Sequence, residues 1–65
     1  MSFVQYEVWG VIDGHEELID CVGSLQEAEE LAENEREFND EVYIMKDTDD
    51  ELVEVRRYRN TNPIG

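Results

Sequence analysis

Between Phe3 and Val22, apolar and polar residues alternate on both sides of one dipeptide, Asp13-Gly14. A period of two sends successive side chains to opposite faces of a strand, and Val4, Tyr6 and Val8 alternate with Gln5 and Glu7 in this way. Asp-Gly accepts the positive φ values of a type I′ turn, whose twist matches that of paired strands. A hairpin is therefore expected, with Ile12 opposite His15, Val8 opposite Ile19 and Tyr6 opposite Cys21.

Ser24-Leu25-Gln26-Glu27 has the S-x-x-E form of a capping box, in which the serine hydroxyl accepts from the amide three residues on. Leu25, Ala28, Leu31, Ala32 and Phe38 follow at three- and four-residue steps, while Glu29, Glu30, Glu33 and Glu37 fall elsewhere on the wheel. The spacing predicts a helix of about fourteen residues, roughly 21 Å long, ended by Asn39 in the left-handed region. Glu41 to Lys46 and Glu51 to Tyr58 read as two more strands around Asp47-Thr48-Asp49-Asp50. With a four-residue loop, Ile44 faces Val53, Val42 faces Val55 and Arg56 faces Glu41.

The order is ββαββ, an α+β domain over residues 1–59 with one helix packed on a four-stranded, mainly antiparallel sheet. Residues 60–65 read as a flexible tail. These registers place Val4, Tyr6, Val8, Ile19, Cys21, Val42, Ile44, Val53 and Val55 beneath the helix. They leave Phe3, Trp9, Val11, Leu18, Val22, Tyr43, Met45 and Leu52 on the uncovered side.

Eighteen acidic against five basic side chains give a net charge of −13 in 65 residues. Nucleic-acid affinity rests on lysine and arginine neutralising phosphates, so direct binding of DNA, RNA or anionic lipid is not expected. No apolar run approaches the ~18 residues of a membrane span, and the N-terminus lacks the basic and apolar regions of a signal. The single cysteine, Cys21, makes no internal disulfide, and a cytoplasmic setting is the expectation. Residues 1–55 carry all 18 acids with only Arg36 and Lys46, whereas Arg56, Arg57 and Arg59 follow together.

Catalysis needs a nucleophile, base or metal held in a pocket. His15 follows the expected turn and Cys21 falls on the expected core face, too far along one strand to meet. Asp47 to Glu51 resembles the start of a calcium loop but has Leu52 where the sixth position requires glycine and Tyr58 where the twelfth requires glutamate. Glycines clustered to hold a phosphate are absent. No cofactor, metal site or catalytic residue is assigned. The reading is a non-enzymatic interaction module. Its acidic helix surface, Glu29, Glu30, Glu33 and Glu37, is expected to engage a basic protein, in the manner of a DNA mimic. Trp9, Leu18, Tyr43, Met45 and Leu52 supply a face for docking or homodimerisation. The alternative is a salt-adapted domain whose acids serve solubility, a composition that resembles haloarchaeal proteins.

Overall fold

A computed structural model describes residues 3–60. Strands β1 (Val4–Ile12), β2 (His15–Val22), β3 (Glu41–Thr48) and β4 (Leu52–Arg59) form one antiparallel sheet in the order β2-β1-β3-β4. Helix α1 (Leu25–Glu35) carries the chain from the β2 edge across one face to β3. The fold is thus a small α+β domain of the expected ββαββ order.

The first hairpin closes as its dipeptide requires, with Asp13 at φ 51°, Gly14 at φ 81° and Ile12 opposite His15. Ser24 caps α1: its hydroxyl accepts from the Glu27 amide at 3.2 Å and donates to the Glu27 carboxylate at 3.1 Å. Ala28 and Ala32, one turn apart, are fully buried against the inner strands, which contribute Val8, Val42 and Ile44. Small residues at those two helical positions let the backbone approach the sheet closely. Burying each of the three aliphatic side chains stabilises the fold by roughly 1.5–3 kcal/mol. Tyr6, Ile19, Val22 and Leu31 pack around this centre.

The helix is eleven residues long, shorter than the spacing predicted, because the chain leaves it at Glu35. Glu37 and Phe38 lie in the following turn, and Phe38 is 70% exposed instead of extending the apolar stripe. Asn39 ends the helix by its side chain and not by a left-handed backbone, since Asp13 is the one non-glycine residue with positive φ among those described. Its buried carboxamide donates to the Glu35 carbonyl at 2.7 Å. Asp40 then donates its amide to the Val11 carbonyl, and its carboxylate accepts from the Asp13 amide. The expected tail began at Asn60, but that residue is tied in: its amide donates to the Asp40 carbonyl and its carboxamide to the Asn39 carbonyl. The rest of that segment, 61–65, lies outside the described residues.

Two β-bulges change which residues face the helix. Trp9 pairs with Leu18, yet Val8 pairs with Asp20, so Ile19 is the extra residue of β2. Such an insertion reverses side-chain parity beyond it. Glu7 therefore faces Cys21 and Tyr6 faces Val22, which puts Val22 against the core and leaves Cys21 exposed on the other side. In the second hairpin β3 runs on to Thr48, whose amide donates to the Glu51 carbonyl, so the loop tip is Asp49-Asp50 and not four residues. Lys46 consequently faces Val53, and a bulge at Val55 shifts the frame again, bringing Arg56 opposite Ile44, Tyr58 opposite Val42 and Arg59 opposite Glu41. Val53 and Val55 are exposed, and Tyr58 takes the core position they were expected to fill.

Gly10 lies beneath the Asn39 plug. A Cβ there would stand 2.5 Å from Asn39 Oδ1, 2.9 Å from its Cγ and 3.1 Å from Ile19 Cδ1. Gly10→Ala is expected to destabilise the fold by about 1–3 kcal/mol through overpacking. Urea unfolding measures this, and Asn39→Ser in the same background is expected to recover part of the loss, because the two sites share one contact.

Candidate functional site

The side of the sheet opposite α1 is organised in rows that cross the strands. Trp9 pairs with Leu18 on one side and with Tyr43 on the other, and Tyr43 pairs with Arg57, so one row crosses all four strands. Glu7, paired with Cys21 and Met45, lies in the adjacent row, which ends at Glu54. On the opposite flank Val11 lies between Glu16 and Glu41, and Arg59 completes that row. Leu52 faces Asp47 nearer the hairpin tip. The five residues expected to form a docking face, Trp9, Leu18, Tyr43, Met45 and Leu52, thus share this side.

The face is less bare than alternation alone implied. The Trp9 and Tyr43 rings are parallel to within 4°, with centroids 6.3 Å apart. The Trp9 indole N–H donates to Glu7 Oε1 at 2.9 Å, and the Tyr43 hydroxyl donates to the Glu16 carboxylate. Arg57 lies over Tyr43 with Cζ 4.7 Å from the ring centroid. Its guanidinium reaches Glu41 at 2.6 Å and grips Glu54 through Nη2 at 2.8 Å and Nε at 3.1 Å. Covered in this way Tyr43 is only 9% exposed, whereas Leu18 remains 46% and Leu52 53% exposed.

A second arrangement of the same kind holds the helix to β4. Arg56 and Arg36 lie over the Tyr58 ring at 5.2 and 5.3 Å. Arg56 pairs with Glu29 at 3.1 Å, and Arg36 pairs with Glu33 at 2.9 Å while donating from Nε to the Arg59 carbonyl. The four residues expected to make an acidic helix surface therefore divide. Glu29 and Glu33 bind arginines of the fold itself. Glu30 is exposed on the helix, and Glu37 is exposed in the turn beyond it. Gln26, Glu29, Glu30, Glu33 and Asn34 line one open groove along α1. Arg56 does not meet Glu41; the bulge at Val55 gives that partner to Arg57.

The charge environment follows from these contacts. Burial, the hydrogen bond to Glu16 and the nearby Glu16 charge push Tyr43 up to about 12, against the opposing effect of Arg57. The same guanidinium, by hydrogen-bonding Glu54, holds that carboxyl below its usual range. Arg57 is itself held more firmly charged by Glu54 and Glu41. Burial first, then Glu7, Asp20 and Asp47, raises the Cys21 thiol, which makes it a poorer thiolate nucleophile. His15 is exposed at the start of β2. Among the described residues no group of three or more histidine, cysteine, aspartate or glutamate side chains is placed to hold a metal ion. In the acidic hairpin Asp47 accepts from the Gln5 carboxamide and Asp49 from the Phe3 amide, so these carboxylates brace β1. No helix is long and apolar enough to cross a membrane among the described residues.

Glu7 and Glu16 were not singled out from sequence, and Arg57 stood out only as one of the three arginines in the basic stretch 56–59. The clue to Arg57 was a tyrosine across the strand pair, hidden by a register that the bulge displaces. A tyrosine whose folded pKa lies above its unfolded value contributes stability that is complete below the unfolded pKa near 10 and lost as pH rises through the folded one. Spectrophotometric titration is expected to show a late-ionising tyrosine near pH 12 that disappears in Tyr43→Phe and shifts down in Glu16→Gln. Comparison of the chain with protein-family models, curated proteins and solved structures found no match.

Proposed function

We propose that the chain is a non-enzymatic acidic interaction module whose partner is a protein with a basic surface. The division of charge carries this reading. Of 18 carboxylates, four (Glu29, Glu33, Glu41 and Glu54) make ion pairs, and those pairs engage Arg36, Arg56 and Arg57 among the five cations. Eighteen less four leaves 14 carboxylates outside ion pairs among the described residues, with Lys46 and Arg59 alone to balance them. Exposed ion pairs contribute only ~0–1 kcal/mol each, so the acids add little to folding. What a one-signed surface does supply is a field that steers an oppositely charged partner and raises its association rate.

On this reading Glu30 and Glu37 contribute to steering, while Glu29 and Glu33 chiefly hold Arg56 and Arg36. Glu30→Gln/Glu37→Gln is expected to slow association with a basic protein retained from native extract by about threefold and to flatten its salt dependence. Surface plasmon resonance across a salt series measures both, and an unchanged association rate removes these residues from the reading. Salt adaptation makes a different prediction. With a Debye length of ~8 Å at physiological ionic strength, the unfolding temperature of an interaction module is expected to level off below about 0.5 M KCl. A continued climb into molar KCl favours the salt-adapted alternative.

A further inference from the structure

We infer that Trp9 and Glu7, on the open face of the sheet, form a receptor for an arginine side chain of the basic partner; this rests on the reading above and locates its anchor. The argument is a repeated unit with one member incomplete. Tyr58 carries two guanidiniums, each neutralised by a glutamate, and Tyr43 carries one, neutralised by two. Trp9 stacks in parallel on the Tyr43 ring, which takes up one side of the indole, and among the described residues no cation lies over Trp9.

The carboxylates of such a unit are nevertheless in place. Glu7 lies two residues from Trp9 on the same strand face, about 7 Å along the strand, with Oε1 fixed by the indole N–H and Oε2 left for a second donor. Glu16 lies in the row on the other flank, fixed by the Tyr43 hydroxyl. Leu18, exposed beside the indole, offers aliphatic surface to the methylene stem of an incoming side chain. A planar guanidinium stacks on the ring and reaches carboxylates at its edges, whereas an ammonium is a compact point charge that prefers its water. The site therefore selects arginine over lysine. The cation comes from a partner and not from a second copy, because two chains of net charge −13 repel and this chain holds its arginines mainly in its own units.

The chain, whose only tryptophan is Trp9, is titrated with heptaarginine and with heptalysine, following indole fluorescence and calorimetric affinity. The expected result is perturbation of Trp9 emission and binding of heptaarginine about fivefold tighter than heptalysine. Glu7→Gln weakens heptaarginine about fivefold, whereas Asp50→Asn, which removes the same charge from the exposed β3–β4 loop tip, changes it less than about twofold. Trp9→Phe, which keeps a ring, erodes the arginine preference less than Trp9→Leu, with circular dichroism confirming that both are folded. Equal affinity for the two peptides, or binding with silent Trp9, overturns the arginine receptor and leaves the basic-partner reading standing. Failure of both peptides to bind removes both. Concentration-dependent self-association that buries Trp9 and vanishes in Arg59→Gln would assign the platform to a second copy and overturn the proposal.

Discussion

With only Val8, Val42 and Ile44 fully buried from the sheet, and two alanines from the helix, the apolar centre is narrow and spans the inner strands alone. The outer strand β4 reaches the helix by another route. Arg36 and Arg56 lie over the Tyr58 ring, and Glu29 and Glu33 of α1 pair with those guanidiniums. An arginine over an aromatic ring contributes ~0.5–1 kcal/mol when exposed, comparable to an exposed ion pair. Here both interactions act on the same group. The two arginines over the ring also cover it from water, and Tyr58 is buried in a strand whose other residues are exposed.

That arrangement depends on backbone parity. Without the extra residue at Val55, Arg56 and Tyr58 would change sides with Arg57, and neither aromatic–arginine unit would form. The bulge at Ile19 has the corresponding effect on β2, placing both Ile19 and Val22 at the core and turning Cys21 outward. Both bulges lie in the outer strands of the sheet. There they also interrupt the run of unpaired backbone groups that an open edge presents to other chains. One device thus sets the side-chain faces and guards the edges.

How far this was legible follows from the range of each signal. Asp13-Gly14 and Ser24-x-x-Glu27 act within four residues, and the hairpin turn and helix start are where those letters put them. The ββαββ order and the sharing of one face by Trp9, Tyr43 and Met45 followed from alternation along unbulged strands. Alternation is blind to an inserted residue, so Cys21, Val22 and Val55 were assigned to the wrong environments and nothing marked Tyr58 as a core residue; Val53, ahead of the bulge, keeps its expected side opposite Lys46 but is exposed. The end of α1 was misplaced for a related reason. Asn39 stops it through a carboxamide seated over Gly10, a residue 29 positions earlier, and no local pattern encodes that contact.

The scarcity of cations links the fold to its surface chemistry. Arg36, Arg56 and Arg57 are held between aromatic rings and glutamates of the same molecule, so their charge is matched locally and projects little beyond it. Each of the remaining carboxylates adds to a field of one sign, decaying over ~8 Å at physiological ionic strength. Such a field attracts any cationic surface and by itself distinguishes none. Discrimination requires groups fixed before the partner arrives, because ordering side chains on binding costs ~0.5–1.5 kcal/mol each. On the open face that fixing is already done: the indole is parallel to Tyr43, and each carboxylate beside it is held by a hydrogen bond from one of the two rings. The broad field governs encounter, and the small ordered platform governs which encounter persists.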